Sequence, residues 1–386
     1  MLSSPTGTLT AVALHERDLG LLAHPSVQHL NNLLLIVDAP NIRRVMGKVG
    51  NDPRVAQILS LSNPDAPSTS DSRTFMEFVR RGHIKAAEVW RDVPNKPFRF
   101  NKKVNAPDLM LAYSSYRYLR HVGFTNITMR AQDWSEQIEP FPMLEDYVDR
   151  HKGERCFVVG NGPSLNEIDM TKLRSEITFG SNRVFLGYKK WGFNFTYWGM
   201  EDRLQVEGYH DEYEIGVPAE TPKFVPFDYV TFSKMPNTTY MPLLYGNGRT
   251  FPGGLRFPAF SHRPDCLFHG FTITFSLIQL AALMGFSEIY LIGTDHNYGL
   301  GAKKLATTMS GDDGGTWSAD DAGVATHFDS SYTTGDKQFV KPRPVNAELA
   351  YACARQWYDM RDLTIKNATP GSHLDVYERV DFESLF

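Results

Sequence analysis

A mostly parallel α/β fold is what this chain of 386 residues predicts, and three observations predict it. Four short apolar runs, Cys156–Gly160 (CFVVG), Ile177–Ser181 (ITFGS), Phe195–Met200 (FTYWGM) and Glu288–Gly293 (EIYLIG), read as strands buried on both faces. The segment Thr274–Phe286 (TFSLIQLAALMGF) reads as a helix that is apolar almost all round, so it belongs deep in a core. Polar residues follow the strands at Asn161, Ser181, Glu201 and Thr294, and open α/β sheets bind ligands beyond the carboxyl ends of their strands. The expectation is a Rossmann-like sheet over residues 140–386, with a smaller N-terminal α/β domain over residues 1–139.

The elements follow in chain order. In the first domain, Leu33–Pro40 (LLLIVDAP) is a buried strand, and NIRRVMGKVG after it is a helix stopped by glycine. Ser62–Arg73 (SNPDAPSTSDSR) is a polar, turn-rich loop, and Ala106–Gly123 is a second helix ending in glycine. No residue of this domain points to a chemistry. In the second domain, MLEDYVDRHKG reads as a helix ending at Gly153. The stretch from Gly299 to Asn346 is rich in glycine, serine, threonine and aspartate. It is expected to be mobile and to order over a bound ligand. Asn346 is expected to cap a helix that carries Leu349, Ala350, Cys353, Ala354, Trp357 and Met360 on its apolar face.

Composition narrows the function. Apolar residues make up 42% and charged residues 22%, as in soluble globular proteins. The 40 basic and 44 acidic residues leave a net charge of −4, the opposite of a general nucleic-acid binder. Cys156, Cys266 and Cys353 are far apart and form no CxxC, which fits reduced thiols in a reducing compartment. The start MLSSPTGTLTAVALHERD lacks a basic run followed by a long apolar one, and no stretch reaches the ~18 apolar residues of a membrane span. A cytoplasmic protein is expected, at most peripheral to the inner membrane.

The motif GNGPSLNEID starts at Gly160, directly after the first of the four strands. Gly160 and Gly162 permit a sharp turn and a close backbone approach to a ligand. Ser164 and Glu167 have capping-box spacing, and amides at a helix start favour a phosphate. A tight turn with no ligand fits the glycine pattern equally well, since it is neither GxGxxG nor a Walker motif.

Three runs in order, CFVVGNGPSLNEIDMTKL, TFGSNRVF and TFSLIQLAALMGFSEIYLIGTD, resemble the bacterial lipooligosaccharide sialyltransferases. They resemble more strongly a broad bacterial family related to them. That family also holds the sugar transferases of flagellin modification and an archaeal hydroxymethylpterin pyrophosphokinase. The ending IKNATPGSHLDVYERVDFESLF belongs to the same pattern, so the resemblance runs from Glu154 to the C-terminus. It implies a GT-A-like variant of the Rossmann fold and transfer of an acidic sugar, a sialic-acid-like nonulosonate or Kdo, from a CMP-sugar. The acceptor would be a surface glycan or glycoprotein, and transfer would invert the anomeric centre. No cofactor beyond the CMP-sugar is implied; Mg²⁺ is permitted, with no residue assigned to hold it.

Carried over by residue, Asn161 and Asn182 match the asparagines that contact the CMP phosphate and ribose. Gly160, Gly162, Ser164, Thr272, Thr274 and Asp295 complete the nucleotide set. The register places Asn297 at the first of two phosphate-stabilising tyrosines, with Tyr298 one residue later and no second tyrosine after it. His327, in THFDSSY, falls in the segment where the family carries its catalytic histidine, and His296 is the competing candidate. A histidine with an ordinary pKa near ~6.5 suits the general base that activates an acceptor hydroxyl.

Each assignment has a plain rival. His327 could be an ordinary loop histidine, Asp295 a turn cap, and Asn182 a turn residue. Glu201 and Asp202 stand where many sugar transferases hold metal, but EDR is not DxD, so a structural or orienting role is expected. Arg256, His262, Arg263 and His269 form a loosely basic stretch that could receive a carboxylate-bearing sugar, or be a solvated loop. His373 and Arg379 could border the site. Two other functions compete. One is a pterin pyrophosphokinase, whose ATP and Mg²⁺ would need Asp202, Asp295, Asp312 and Asp313. The other is a non-catalytic nucleotide-binding protein.

Overall fold

The computed structural model describes residues 8–38, 42–49, 51–60, 75, 77–81, 83–90, 106–130, 135–230, 232–244, 250–251, 255–256, 259–297, 316–318, 327–333, 338–340 and 342–386. The chain divides into two compact units. Met1–Pro140 with Phe227–Phe232 form the first, and Phe141–Pro226 with Ser233–Phe386 the second.

The first unit is a six-stranded sheet. Its strands are β1 (Leu9–His15), β2 (Leu33–Asp38), β3 (Val55–Ser60), β4 (Ile84–Trp90), β5 (Ile127–Arg130) and β6 (Ser135–Ile138). Their order is β3-β2-β1-β4-β5-β6, parallel throughout except for the β5–β6 pair. The strand expected in LLLIVDAP is β2, and the two expected helices are Ile42–Val49 and Ala106–His121. Val12, Leu33, Leu35, Val37 and Trp90 are buried in one apolar cluster. The Ser62–Arg73 loop lies outside the described residues.

The second unit is an eight-stranded parallel sheet, which bears out the predicted fold class. From one edge it runs β11 (Thr238–Met241), β10 (Lys223–Pro226), β9 (Tyr197–Gly199), β8 (Thr178–Ser181) and β7 (Arg155–Val159). It continues through the strands Glu288–Ile292, Thr364–Asn367 and Glu378–Arg379. Every pairing in it is parallel. The chain steps outward from β7 to β11 and then returns to lay Glu288–Ile292 on the other side of β7. The strand order therefore reverses between β7 and Glu288–Ile292, the switch point beyond whose carboxyl ends open α/β sheets bind ligands. Helix Ile273–Leu283 is buried from Thr274 to Leu283, as its all-round apolar sequence requires. Phe275, Leu277, Ile278 and Leu280 join one core with Val158, Phe179, Leu291 and Tyr351. Each such side chain contributes about 1.5–3 kcal/mol on burial.

Three local expectations are corrected. Met143–Gly153 is not a long helix: only Leu144–Tyr147 winds, as a 3₁₀ turn. The Asp146 carboxylate accepts the Met143 amide at 2.9 Å. The amides of Asp149, His151 and Gly153 then go to the carbonyls of Leu283, Met284 and Gly285, at 3.1, 2.8 and 2.9 Å, instead of continuing a helical ladder. The last helix starts at Pro344, not after Asn346, because proline is suited to a first helical position whose amide needs no partner. Its buried face is Asn346, Ala347, Ala350, Tyr351, Ala354 and Tyr358; Met360, expected inside, is 75% exposed. Between Gly299 and Asn346, the strands Thr316–Ser318 and Gln338–Val340 pair antiparallel. The described part from His327 to Thr333 is tied to the sheet by hydrogen bonds given below.

Candidate functional site

The turn after β7 meets the end of Glu288–Ile292, and the two are joined without a gap. The Gly160 amide donates to the Ile292 carbonyl at 2.8 Å and the Gly162 amide to Gly293 at 2.9 Å. Ser164 donates twice to Asp295, from its amide at 3.1 Å and from its hydroxyl at 2.7 Å. A Cβ on Gly160 would run into the Gly293 carbonyl, and one on Gly162 into the Asp295 carboxylate. The glycines therefore make room for the neighbouring strand end, not for a ligand. The capping box is absent: the Ser164 hydroxyl serves Asp295, and the Glu167 amide closes a four-residue 3₁₀ turn on the Ser164 carbonyl. The anion at the Ser164 amide is Asp295 itself. Burial raises its pKa, against the Ser164 bonds that pull it down.

The C-terminal motif buttresses this arrangement. Ser372 Oγ donates to the Thr294 carbonyl at 2.7 Å, and the His373 amide to the Asp295 carbonyl at 2.8 Å. Asn367 Nδ2 in turn donates to Ser372 Oγ and to the Leu374 carbonyl, each at 3.0 Å. NATPGSHLD is thus a bracket for the strand end that carries Thr294 and Asp295. His373 borders the site through its main chain. Arg379 is spent on the Ser372 carbonyl and on Asp375.

Beside this closed network lies an open one. Asn161 Nδ2 donates to the carbonyl and hydroxyl of Ser181, at 3.2 and 3.3 Å, which fixes its amide orientation. Its Oδ1 is buried with no partner, as are Asn182 Oδ1 and Thr294 Oγ1. These three oxygens come from residues just past the carboxyl ends of β7, β8 and Glu288–Ile292. Each unpaired buried polar atom costs about 1–3 kcal/mol. Asn182 is also held at φ 49°, a left-handed conformation that non-glycine residues seldom adopt. Its carbonyl accepts Trp198 Nε1 at 2.8 Å, and its amide reaches the Tyr332 hydroxyl.

His327 is brought beside the turn after β7. The next residue, Phe328, donates its amide to the Asn161 carbonyl at 3.0 Å and accepts Asn166 Nδ2 at 2.7 Å. The His327 ring stacks on Tyr332 with centroids 3.8 Å apart and planes 8° from parallel. Burial, then the charge of Arg183, push its pKa down to about 3. The ring is therefore neutral at pH 7, and the ordinary histidine pKa expected for a base is not met. Arg183 is a buried charge beside these candidates that sequence reasoning missed. Its signal was a charge in the strand-end motif TFGSNRVF, directly after the candidate Asn182.

The other candidates line the same carboxyl edge. Thr272 and Thr274, at the start of helix Ile273–Leu283, bond to the buried Tyr351 hydroxyl. His296 has φ 56°; its Nε2 lies 2.9 Å from Glu348 Oε1, and burial lowers its pKa against that carboxylate. Phe271 has φ 63°, strained for so bulky a residue, and its amide donates to His269 Nδ1 at 3.4 Å. Glu201 is 5% exposed, accepts Ser276 Oγ at 2.5 Å and faces His269 Nε2 at 3.6 Å; burial raises it to about 7. Asp202 caps helix Arg203–Gly216 through the amides of Leu204 and Gln205, at 2.7 and 3.3 Å. The basic stretch does not gather into one patch. Arg263 pairs with Asp265 at 2.6 Å, His262 lies on Trp357, and His269 faces Glu201. Tyr298, Asp312, Asp313 and the Arg256 side chain lie outside the described residues.

A scan against protein-family models finds no match, and neither does a search of the curated proteins. Among solved structures, the chain is similar over its whole length to the MAf glycosyltransferase from Magnetospirillum magneticum AMB-1, at 11% identity and a TM-score of 0.37, and spans 60% of that chain. It is also aligned over 95% of its length with an N-terminal ketoreductase from a macrolactin assembly line, at 9% identity and a TM-score of 0.18, covering 80% of that chain. No helix among the described residues is long and apolar enough to cross a membrane.

Proposed function

We propose that this protein is a glycosyltransferase whose donor is a CMP-activated acidic sugar. The observation that carries the proposal is the set of unpartnered oxygens on Asn161, Asn182 and Thr294, at the strand ends beside the switch point. All three can accept hydrogen bonds, and a nucleoside presents matching donors in its ribose hydroxyls and the cytosine amine. A phosphate offers none at neutral pH. Its place is instead the start of helix Ile273–Leu283, beside Thr272 and Thr274, where an 11-residue helix directs its positive end. Support also comes from the sequence resemblance, which assigns Asn161, Asn182, Thr272 and Thr274, though not Thr294, to CMP.

In the proposed reaction an acceptor hydroxyl attacks the anomeric carbon. The new C–O bond forms as the bond to the phosphate oxygen breaks, CMP leaves, and the anomeric centre inverts. His327 takes the hydroxyl proton. It is neutral at working pH, as a base must be, but its low basicity places its contribution at the weak end of the usual ~10²- to 10⁴-fold. The pterin pyrophosphokinase alternative is less well supported. Of its four metal carboxylates, Asp202 is used as a helix cap and Asp295 is held by Ser164.

Thermal unfolding with CMP, UMP, AMP and ATP, each with and without Mg²⁺, tests the donor class. CMP near 100 times its Kd should add about 2.7 kcal/mol. Stabilisation by ATP with Mg²⁺ alone would shift the assignment to phosphoryl chemistry, and no response to any nucleotide would remove it.

A further inference from the structure

We infer that Arg183 is a positioning residue for the proposed reaction, fixing the His327–Tyr332 segment against the carboxyl ends of β7 and β8. This rests on the glycosyltransferase function proposed above, but its structural part can be read without any activity.

Arg183 is 4% exposed and immediately follows Asn182. Its Nη1 donates to the main-chain carbonyls of Ser331 and Tyr332, at 2.6 and 2.5 Å. Its Nη2 donates to the Glu212 carboxylate on helix Arg203–Gly216, at 2.5 Å. The guanidinium carbon lies 4.3 Å from the centre of the Tyr209 ring. A planar fork can hold two carbonyls on one side and a carboxylate on the other; the point charge of a lysine cannot. The other end of the segment is held by the Asn161 carbonyl, by Asn166 and by the packing of Phe328 on Trp191, with ring centroids 5.2 Å apart. With both ends fixed, Tyr332 is placed to stack on His327 while its hydroxyl meets the Asn182 amide.

The turn after β8 thus does two things with adjacent residues. Asn182 keeps a buried oxygen without a partner, and Arg183 holds the segment that carries the proposed base. The charged and titratable groups facing Arg183 are Glu212, Tyr209, Tyr213, Tyr332, His327 and Asp329.

The test uses the full chain carrying Arg183→Met, which keeps most of the stem, with Glu212→Gln as a control that leaves both carbonyl bonds. In Arg183→Met, amide exchange over residues 328–333 should quicken at least about tenfold while the core of the second unit stays protected. In Glu212→Gln that protection should persist. The His327 imidazole, followed by NMR, should stay neutral between about pH 5 and pH 8 in the wild type and titrate towards its ordinary range in Arg183→Met. With transferase activity, kcat should fall about 10-fold or more and CMP affinity should change less than about 2-fold. Should Arg183→Met not fold, Arg183→Lys is read through the same measurements. A folded variant with wild-type exchange over 328–333 and an unmoved His327 signal would overturn the assignment. A wild type that binds CMP but transfers no sugar would instead overturn the proposed reaction, leaving the exchange and NMR results to decide Arg183.

Discussion

Two networks sit side by side at the carboxyl edge of the large sheet, and they differ in one respect. In the Ser164, Asp295, Ser372 and Asn367 network, side chains answer one another: hydroxyl to carboxylate, hydroxyl to carbonyl, amide to hydroxyl. In the Asn161, Asn182 and Thr294 network, each residue keeps a buried oxygen without a partner. The two are interleaved in sequence, with Asn161 and Ser164 three apart and Thr294 and Asp295 adjacent. Residue type therefore does not tell the two groups apart; hydrogen-bond satisfaction does. A satisfied buried network rigidifies the fold, whereas an unsatisfied one carries a cost that a ligand can remove.

The sharpest way to break this contrast is to crowd the closed network. Gly162→Ala would drive a methyl group into the Asp295 carboxylate, and should cost about 3 kcal/mol in denaturant unfolding. An unchanged midpoint would mean that the two strand ends are not joined as described. Asp295→Asn is the next largest. One Ser164 donor then faces an amide nitrogen, and a loss of roughly 1.5–3 kcal/mol is expected. Wild-type stability in that variant would move Asp295 out of the scaffold.

Glu201 gives a pH signature. Burial raises it to about 7, so the folded protein keeps a proton that the unfolded chain loses in the ordinary carboxylate range. Its stabilising contribution is full at pH values below that range and drains away as pH rises through about 7. His327 works in the opposite direction. Its lowered pKa gives stability above the ordinary histidine range that is lost as pH falls towards about 3. Unfolding free energies of Glu201→Gln and the wild type between pH 5 and 8 should differ in slope, the variant losing the decline. Parallel curves would show that Glu201 is ionised in the fold.

Much of the fold was legible because burial on both faces leaves a plain mark. CFVVG and EIYLIG became strands and Ile273–Leu283 a buried helix, for the reasons their sequences suggest. The places of Asn161 and Asn182 just after strands were legible from the runs before them. The role of Asp295 was not, because its partner Ser164 lies 131 positions away and no local spacing encodes that meeting. MLEDYVDRHKG misled because its amides find carbonyls beyond Leu283 in place of helical ones. The glycines of GNGPS misled for a related reason: the space they leave is filled by the protein itself.

The most direct test compares one residue from each network by calorimetry and thermal unfolding. Asn161→Ala removes an unpartnered oxygen together with the amide that bonds Ser181 at 3.2 and 3.3 Å, so it should lose about 1 kcal/mol of stability while CMP binding weakens roughly 3- to 10-fold. Ser164→Ala removes a hydroxyl bonded to Asp295, so it should lose about 1–3 kcal/mol of stability while CMP affinity holds. If Ser164→Ala loses CMP affinity and Asn161→Ala keeps it, the ligand site lies in the network described here as closed, and the division between scaffold and site is wrong.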